Sequence, residues 1–356
     1  MKIGILTFHW ATNYGAVLQC YALQNYLISL GHEVIIINYK PKQYDDNISN
    51  FFNLRKFLNI LEYFKEKMKE KALKEFRKEH LILTKRIFSF KNIPSNVPKL
   101  DVIISGSDQV ANPSFLLSGE GKGKISPTYL LGFPFIGKRV GYALSFGCVK
   151  YPEKAIKIAS KYIQAFNSIS VREITGIKIA EALGRKDAKI VPDPTLLMSP
   201  NFYEALADEE NLTNVKSRYI YSFFIRNIKE RKVALDRIFN KNKILWNNED
   251  GDYSVQGWLN KIRFADFVVT DSFHCMVMCL KLRKSFIVVT EKMGNTGMND
   301  RFYTLLSILN MENRIINKQE LSSALSINDL SAINWDEVDS RLYEYSQVGK
   351  KFLQSL

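Results

Sequence analysis

The chain has 356 residues, 46% hydrophobic and 24% charged, with a formal net charge of +14. That balance excludes a disordered chain, no apolar run reaches the roughly 20 residues that span a bilayer, and the length suits two domains. So large a cationic excess points to nucleic acid, an anionic lipid surface or an anionic substrate. No zinc-finger, RNP or basic helix-turn-helix pattern is present, so nucleic acid is set aside. Cys20, Cys148, Cys275 and Cys279 are scattered, and only the last two stand close, at helical spacing. No structural metal is expected, and a reduced, cytoplasmic protein is the expectation.

Met1 to Thr7 is too short for a signal peptide and reads as the start of a first strand, over 3–8. The turn His9 to Ala16 follows, then a helix over 17–30 closed by Gly31, then a strand over 33–38. This is a βαβ unit. Its Asn-x-Gly turn lacks the Gly-x-Gly-x-x-Gly fingerprint of dinucleotide folds. Residues 53–80 have apolar positions at helical spacing and an opposite face rich in Lys, Arg and Glu. That face suits solvent and i,i+4 ion pairs. It also suits an amphipathic helix lying on an anionic membrane surface. Strands are expected over 101–105, 138–144, 168–171 and 188–191, and helices over 153–166 and 173–183. The glycine-rich Gly119 to Gly123 opens no helix and reads as a surface loop.

Pro192-Asp193-Pro194 and the acidic, Asn-rich stretch beyond it mark a domain boundary. A second alternation follows: a strand over 219–225, a basic helix over 229–240, a strand over 243–246 and a helix over 255–263. Ala265 to Thr270 is a short apolar strand. It runs into the polar knot Thr270, Asp271, Ser272 and His274, and a helix over 275–282 begins there. A strand over 285–289, a helix over 299–309 and a terminal helix over 335–356 complete the chain. The fold expected is α/β, two Rossmann-like lobes with a central cleft: an N-terminal domain over 1–198, a C-terminal domain over 199–334, and the last helix packed across both.

Polar residues gather at the carboxyl ends of the expected strands, where open α/β sheets bind ligands. They are Asn13 with Gly15, Ser107 with Asp108, Ser145, Arg172, Asp193, and Asp271 to His274. A capped helix start such as Asp271-Ser272 also offers free N–H groups to an anion.

These segments carry a resemblance. His9-Trp10-Ala11-Thr12-Asn13-Tyr14-Gly15-Ala16-Val17-Leu18-Gln19, Ser105-Gly106-Ser107-Asp108-Gln109, Tyr142 to Gly147, Ser170-Val171-Arg172-Glu173, Asp193-Pro194-Thr195-Leu196, Thr270-Asp271-Ser272-Phe273-His274 and Asn299-Asp300-Arg301-Phe302 stand in the order of the polysaccharide pyruvyl transferase family. The chain resembles that family almost throughout. The resemblance implies a two-lobed fold of glycosyltransferase B type. It also implies transfer of an enolpyruvyl unit from phosphoenolpyruvate to a sugar diol of a glycan precursor, giving a pyruvate ketal and phosphate. Some members carry Arg where this chain carries Ser272.

On that resemblance His274 is the expected acid–base group, with Asp108 or Asp271 taking a hydroxyl proton. Arg172, Ser272, Phe273, His274 and Arg301 would bind the anionic donor. His9, Asn13, Tyr14, Gly15, Gln19, Ser107, Asp108 and Gln109 would bind the acceptor. No cofactor or metal is expected beyond phosphoenolpyruvate as co-substrate. The saccharide acceptor could be lipid-linked, in keeping with peripheral contact at the inner face of the membrane. The competing expectations are a nucleotide-sugar-dependent glycosyltransferase of the same architecture and a non-catalytic glycan-binding relative.

Overall fold

The computed structural model describes every residue except 46–59, 122, 210–218, 227–229, 232, 234, 236–245, 249–251, 292–293, 295–296 and 321–331. The chain forms two compact units. Unit 1 is Met1–Leu197 with Val348–Leu356, and unit 2 is Met198–Gln347.

Unit 1 is built on six strands: β1 (Lys2–Leu6), β2 (Glu33–Ile36), β3 (Val102–Ser105), β4 (Lys138–Leu144), β5 (Ser168–Val171) and β6 (Lys189–Ile190). All pair in parallel, in the order β2-β1-β3-β4-β5-β6. Buried on both faces, such strands need apolar residues at nearly every position; β3 (VIIS) is buried throughout. Gly4 in β1 allows close packing, since a Cβ there would lie 2.6 Å from the Leu100 side chain. Helix α1 (Tyr14–Ser29) buries twelve of its sixteen residues. Helix α2 (Ile60–His80) sinks Leu73 and Phe76 against the unit, and α3 is the short Pro113–Ser118. Helix α4 (Glu153–Ile163) buries Ala155, Ala159 and Ile163, one stripe at i,i+4 spacing. Helix α5 (Ile174–Ala182) follows β5.

Unit 2 holds five parallel strands: β7 (Ile220–Phe223), β8 (Trp246–Asn248), β9 (Phe267–Thr270), β10 (Ser285–Thr290) and β11 (Ile315–Asn317). Their order is β11-β10-β9-β7-β8. Helices α6 (Pro200–Asp208), α7 (Val255–Arg263), α8 (Phe273–Lys281) and α9 (Asp300–Ile308) belong to this unit. Helix α10 (Trp335–Gln354) has its residues through Gln347 in unit 2 and those from Val348 in unit 1.

Each sheet therefore has one place where the chain reverses its direction of growth. In unit 1 it lies between β1 and β3, and in unit 2 between β7 and β9. Ligands of open parallel sheets bind outside the carboxyl ends of strands at such switch points. Most expected elements are present within a few residues of their expected bounds. Helix α1 begins earlier than expected, at Tyr14, because Asn13 caps it. Strand β11 and helices α3 and α6 were not anticipated. Of the expected helix over 229–240, the expected strand over 243–246 and the start of the expected 53–80 helix, most or part lies outside the described residues.

Candidate functional site

At the unit 1 switch point the loop after β1 faces the loop after β3. Gln19, fully buried in α1, ties them together. Its amide donates to Thr7 Oγ1 and to the Ala16 carbonyl, both at 2.9 Å, and its Oε1 accepts from Ser107 N at 3.2 Å. Thr7 Oγ1 donates in turn to the Ser107 carbonyl at 3.1 Å. Asn13 accepts from Gly15 N and Ala16 N at 2.8 and 3.2 Å, satisfying two orphan donors of the first turn. Asn13, Gly15, Gln19 and Ser107 were expected to bind the acceptor. Through these contacts they build the switch point. The Tyr14 ring lies 4.2 Å beneath Lys69 Nζ of α2. Gln109 opens the turn Gln109–Ala111, where its Oε1 accepts from Asn112 Nδ2 at 3.4 Å.

His9 is 1% exposed. Its Nδ1 lies 3.2 Å from the Thr7 carbonyl and its Nε2 lies 3.0 Å from Asn38 Oδ1. Burial lowers its pKa to about 4 against the opposing pull of those two contacts. The buried ring, held between these two oxygens, shapes the loop.

Arg172, at the end of β5, is 3% exposed and surrounded by carboxylates. Its Nη1 is 2.7 Å from Asp193 Oδ2, its Nη2 is 3.6 Å from Asp108 Oδ1 and its Nε is 3.7 Å from Glu173 Oε2. Ser107 Oγ donates to the same Asp193 oxygen at 2.9 Å. Burial alone would pull the guanidinium pKa down; Asp193, Glu173 and Asp108 reverse this and hold it above the ordinary value. Arg172 was expected as a donor-binding cation. Its charge is paired with carboxylates of unit 1.

Asp108 is the most accessible carboxylate of that group, its side chain 18% exposed against 6% for Glu173 and 0% for Asp193. Its backbone is at φ 67°, ψ −173°, a region that is nearly glycine-only. The surroundings hold it there: its carbonyl accepts from Val110 N at 2.8 Å and Ser145 N at 3.1 Å. Backbone conformations of this kind cluster at active sites and ligand clamps. Half-buried Trp10 and Tyr44 pack with ring centroids 4.7 Å apart, beside Phe8 and Phe115. No local sequence signal marks this pair as a surface, because the partners lie far apart in the chain.

At the unit 2 switch point the loop after β7 is held by the loop after β9. Asp271 Oδ1 accepts from Ile225 N at 2.6 Å and Oδ2 from Arg226 N at 3.0 Å. Arg231 Nη1 is 2.6 Å from the same Oδ2, and its Nη2 is 2.5 Å from Glu291 Oε1. Burial raises the Asp271 pKa, opposed by these N–H donors and Arg231. Both its oxygens are occupied, so Asp271, expected as a catalytic carboxylate, is an anchor for the Ile225–Arg226 segment. That segment carries the exposed Arg226 guanidinium, whose Nη2 is directed at the Met298 sulfur. Neither Arg226 nor Arg231 was anticipated. Their partners are 40 or more positions away, and no local spacing marks them.

Ser272 caps α8, its Oγ accepting from Cys275 N at 3.4 Å, and its own N–H donates to Thr270 Oγ1 at 3.0 Å. Phe273 is the hub of the next layer. The His274 ring stands edge-on to it at 5.3 Å, and the Arg301 guanidinium lies 5.5 Å from its centroid. His274 and Arg301 are 5% and 9% exposed. Of the expected donor-binding residues Arg172, Ser272, Phe273, His274 and Arg301, the structure groups His274 and Arg301 about Phe273, with Ser272 next to it in the chain, and places Arg172 in unit 1.

Two parallel sheets, each with a polar switch point, define a two-lobed α/β protein of glycosyltransferase B type. Solved structures agree on the fold. A UDP-GlcNAc 2-epimerase from Neisseria meningitidis aligns over 100% of both chains with a TM-score of 0.50 at 6% identity. A protein described as a UDP-N-acetylglucosamine 2-epimerase from Listeria monocytogenes aligns over 96% of this chain and 90% of its own, with a TM-score of 0.51 at 9% identity. No curated protein matches the sequence. The chain belongs to the polysaccharide pyruvyl transferase family, whose model matches residues 13–292. It is thus a transferase of polysaccharide modification. Among the described residues no helix is long and apolar enough to cross a membrane.

Proposed function

We propose that the protein transfers the enolpyruvyl unit of phosphoenolpyruvate to two hydroxyls of a sugar in a cell-surface glycan precursor, forming a pyruvate ketal and releasing phosphate in the cytoplasm. The observation that carries this reading is the grouping of His274 and Arg301 about Phe273 at the start of α8, in a chain of this family. Phosphoenolpyruvate is a phosphate and a carboxylate on one small frame. Guanidinium groups and helix N–H donors suit both. Arg301 and the exposed Arg226 supply cations where Ser272 supplies none. No resident cofactor is needed.

A proton delivered to the donor's methylene carbon makes a methyl group and an oxocarbenium centre at the neighbouring carbon. The first sugar hydroxyl adds there and loses its proton. Phosphate then leaves with its bonding electron pair, and the second hydroxyl adds to the cation re-formed and loses its proton. His274 is assigned the proton delivery, a role contributing about 10²–10⁴-fold. Asp108 is assigned to the acceptor, as a base for a hydroxyl.

Thermal shift with phosphoenolpyruvate and with nucleotide sugars tests the donor, since a ligand of the folded state raises apparent stability. Stabilisation by phosphoenolpyruvate alone is expected; stabilisation by a nucleotide sugar alone would replace this reading with glycosyl transfer. His274→Ala is expected to keep the fold and lower phosphate release by about 10²-fold or more. Unchanged release would remove His274 from the mechanism.

A further inference from the structure

Helix α2 has a face on which large apolar side chains stay exposed. Its inner side buries Leu73, Phe76 and Arg77, and Arg77 pairs with Glu70 at 2.6 Å. On its outer side Phe64 is 59% and Met68 56% exposed, one turn apart. Lys67, Lys71, Lys74 and Lys78 follow at i, i+4, i+7 and i+11, which the 3.6-residue period sets along one ridge beside Phe64. Lys71, Lys74 and Lys78 are exposed and make no ion pair with any described residue. Glu75 and Glu79 share the outer face only toward the end of the helix, beyond the two exposed apolar residues.

We propose that α2 is a docking surface for an anionic lipid bilayer, with Phe64 and Met68 entering the interface and the lysine ridge lying on the headgroups. Two large apolar side chains with their bodies in water are the group a bilayer interface accepts, and a soluble polyanion gives them nothing. The adjoining Lys71, Lys74 and Lys78 give the matching charge. The position of the helix adds a consequence. Glu70 accepts from Thr12 Oγ1 at 2.6 Å, and Lys69 sits over Tyr14 at 4.2 Å. Docking through α2 would therefore bring the loop after β1, the rim of the unit 1 switch point, to the membrane surface. A saccharide carried on a lipid would be presented there. That last point rests on the transferase reading; the docking itself does not.

Sedimentation of the full chain with vesicles tests this in the absence of donor and acceptor, so its failure leaves the transferase reading untouched. Binding is expected to vesicles of phosphatidylcholine mixed with phosphatidylglycerol, not to phosphatidylcholine alone, and to fall as salt rises. Lys71→Glu with Lys74→Glu and Lys78→Glu is expected to weaken binding by about 10²-fold, at roughly fivefold for each lysine removed. Phe64→Ser with Met68→Ser is expected to weaken it at constant charge. The fluorescence of a Phe64→Trp variant should shift to the blue on docking. Equal binding to neutral vesicles, unaltered binding by the lysine variant, or binding to RNA without binding to vesicles would overturn the proposal. All five positions are exposed, and thermal melts check that each variant folds.

Discussion

At the scale of single residues, the buried charges divide into those that hold the fold and those left for chemistry. Arg172 stands among Asp193, Glu173 and Asp108 with 3% of its surface exposed. Replacing it by Met leaves carboxylates in a dry site without their cation, a defect that costs about 3–5 kcal/mol. Arg172→Met is therefore expected to lower the unfolding free energy by that amount in urea denaturation, whereas a residue serving only the donor would leave it unchanged. Asp108→Asn removes the accessible carboxylate while Asp193 and Glu173 still balance Arg172. It is expected to leave stability within about 1 kcal/mol and to lower turnover.

His9 gives a pH prediction at the same scale. Its folded pKa is about 4 against an ordinary value of 6.5. Between those values the unfolded chain binds a proton that the folded chain refuses. Stability from the neutral ring is thus fully present above pH 6.5 and is lost as pH falls toward 4, by up to ~3 kcal/mol. A His9→Gln variant, whose side chain does not titrate, is expected to show a shallower fall in melting temperature across that window. An unchanged slope would mean that another group governs the acid limb.

At the scale of elements, local signals told much and pairing told the rest. Strands β4 and β5 and helix α7 have the bounds their apolar patterns imply, because a contiguous buried run or a 3.6-residue stripe is a local property. The strand orders were not legible, since neighbours in a sheet are set by contacts between distant segments. The switch points, and with them the places for a site, follow from that order. The Asp271–Arg231–Glu291 network was hidden for the same reason, whereas the Ser272-to-His274 cluster was visible because it is one continuous turn. The start of α1 was misplaced because Asn-x-Gly serves both turns and caps. The two caps differ in strength. Asn13 accepts twice, at 2.8 and 3.2 Å, while Ser272 accepts once at 3.4 Å. Asn13→Ala is expected to cost about 1–2 kcal/mol, and Ser272→Ala about 0.5 kcal/mol or less, in urea unfolding. Equal costs would show that cap geometry is not the deciding term.

At the scale of the whole molecule, α10 leaves unit 2 and ends as part of unit 1, where Leu353 is fully buried. Gly349 makes that ending fit. A Cβ at this position would lie 2.5 Å from Tyr142 Oη and 2.8 Å from Pro192 Cγ. Tyr142 is itself fully buried and its hydroxyl donates to the Pro192 carbonyl at 3.0 Å, fixing the turn that presents Asp193 to Arg172. Two effects therefore oppose each other in Gly349→Ala. Helix propensity favours Ala by about 0.5–1 kcal/mol. Overpacking against a ring that has no room to move costs about 1–3 kcal/mol. The second is larger, so Gly349→Ala is expected to destabilise the protein by about 1 kcal/mol or more, against the usual sign for a glycine within a helix. Tyr142→Phe removes the oxygen that the new methyl would strike. In the double variant the cost should then be smaller than the sum of the two single costs, a coupling that a urea-denaturation double-mutant cycle measures directly. If the costs simply add, the Tyr142 hydroxyl is not what excludes a side chain at 349, and the Pro192 ring and the Leu197 side chain must carry the constraint.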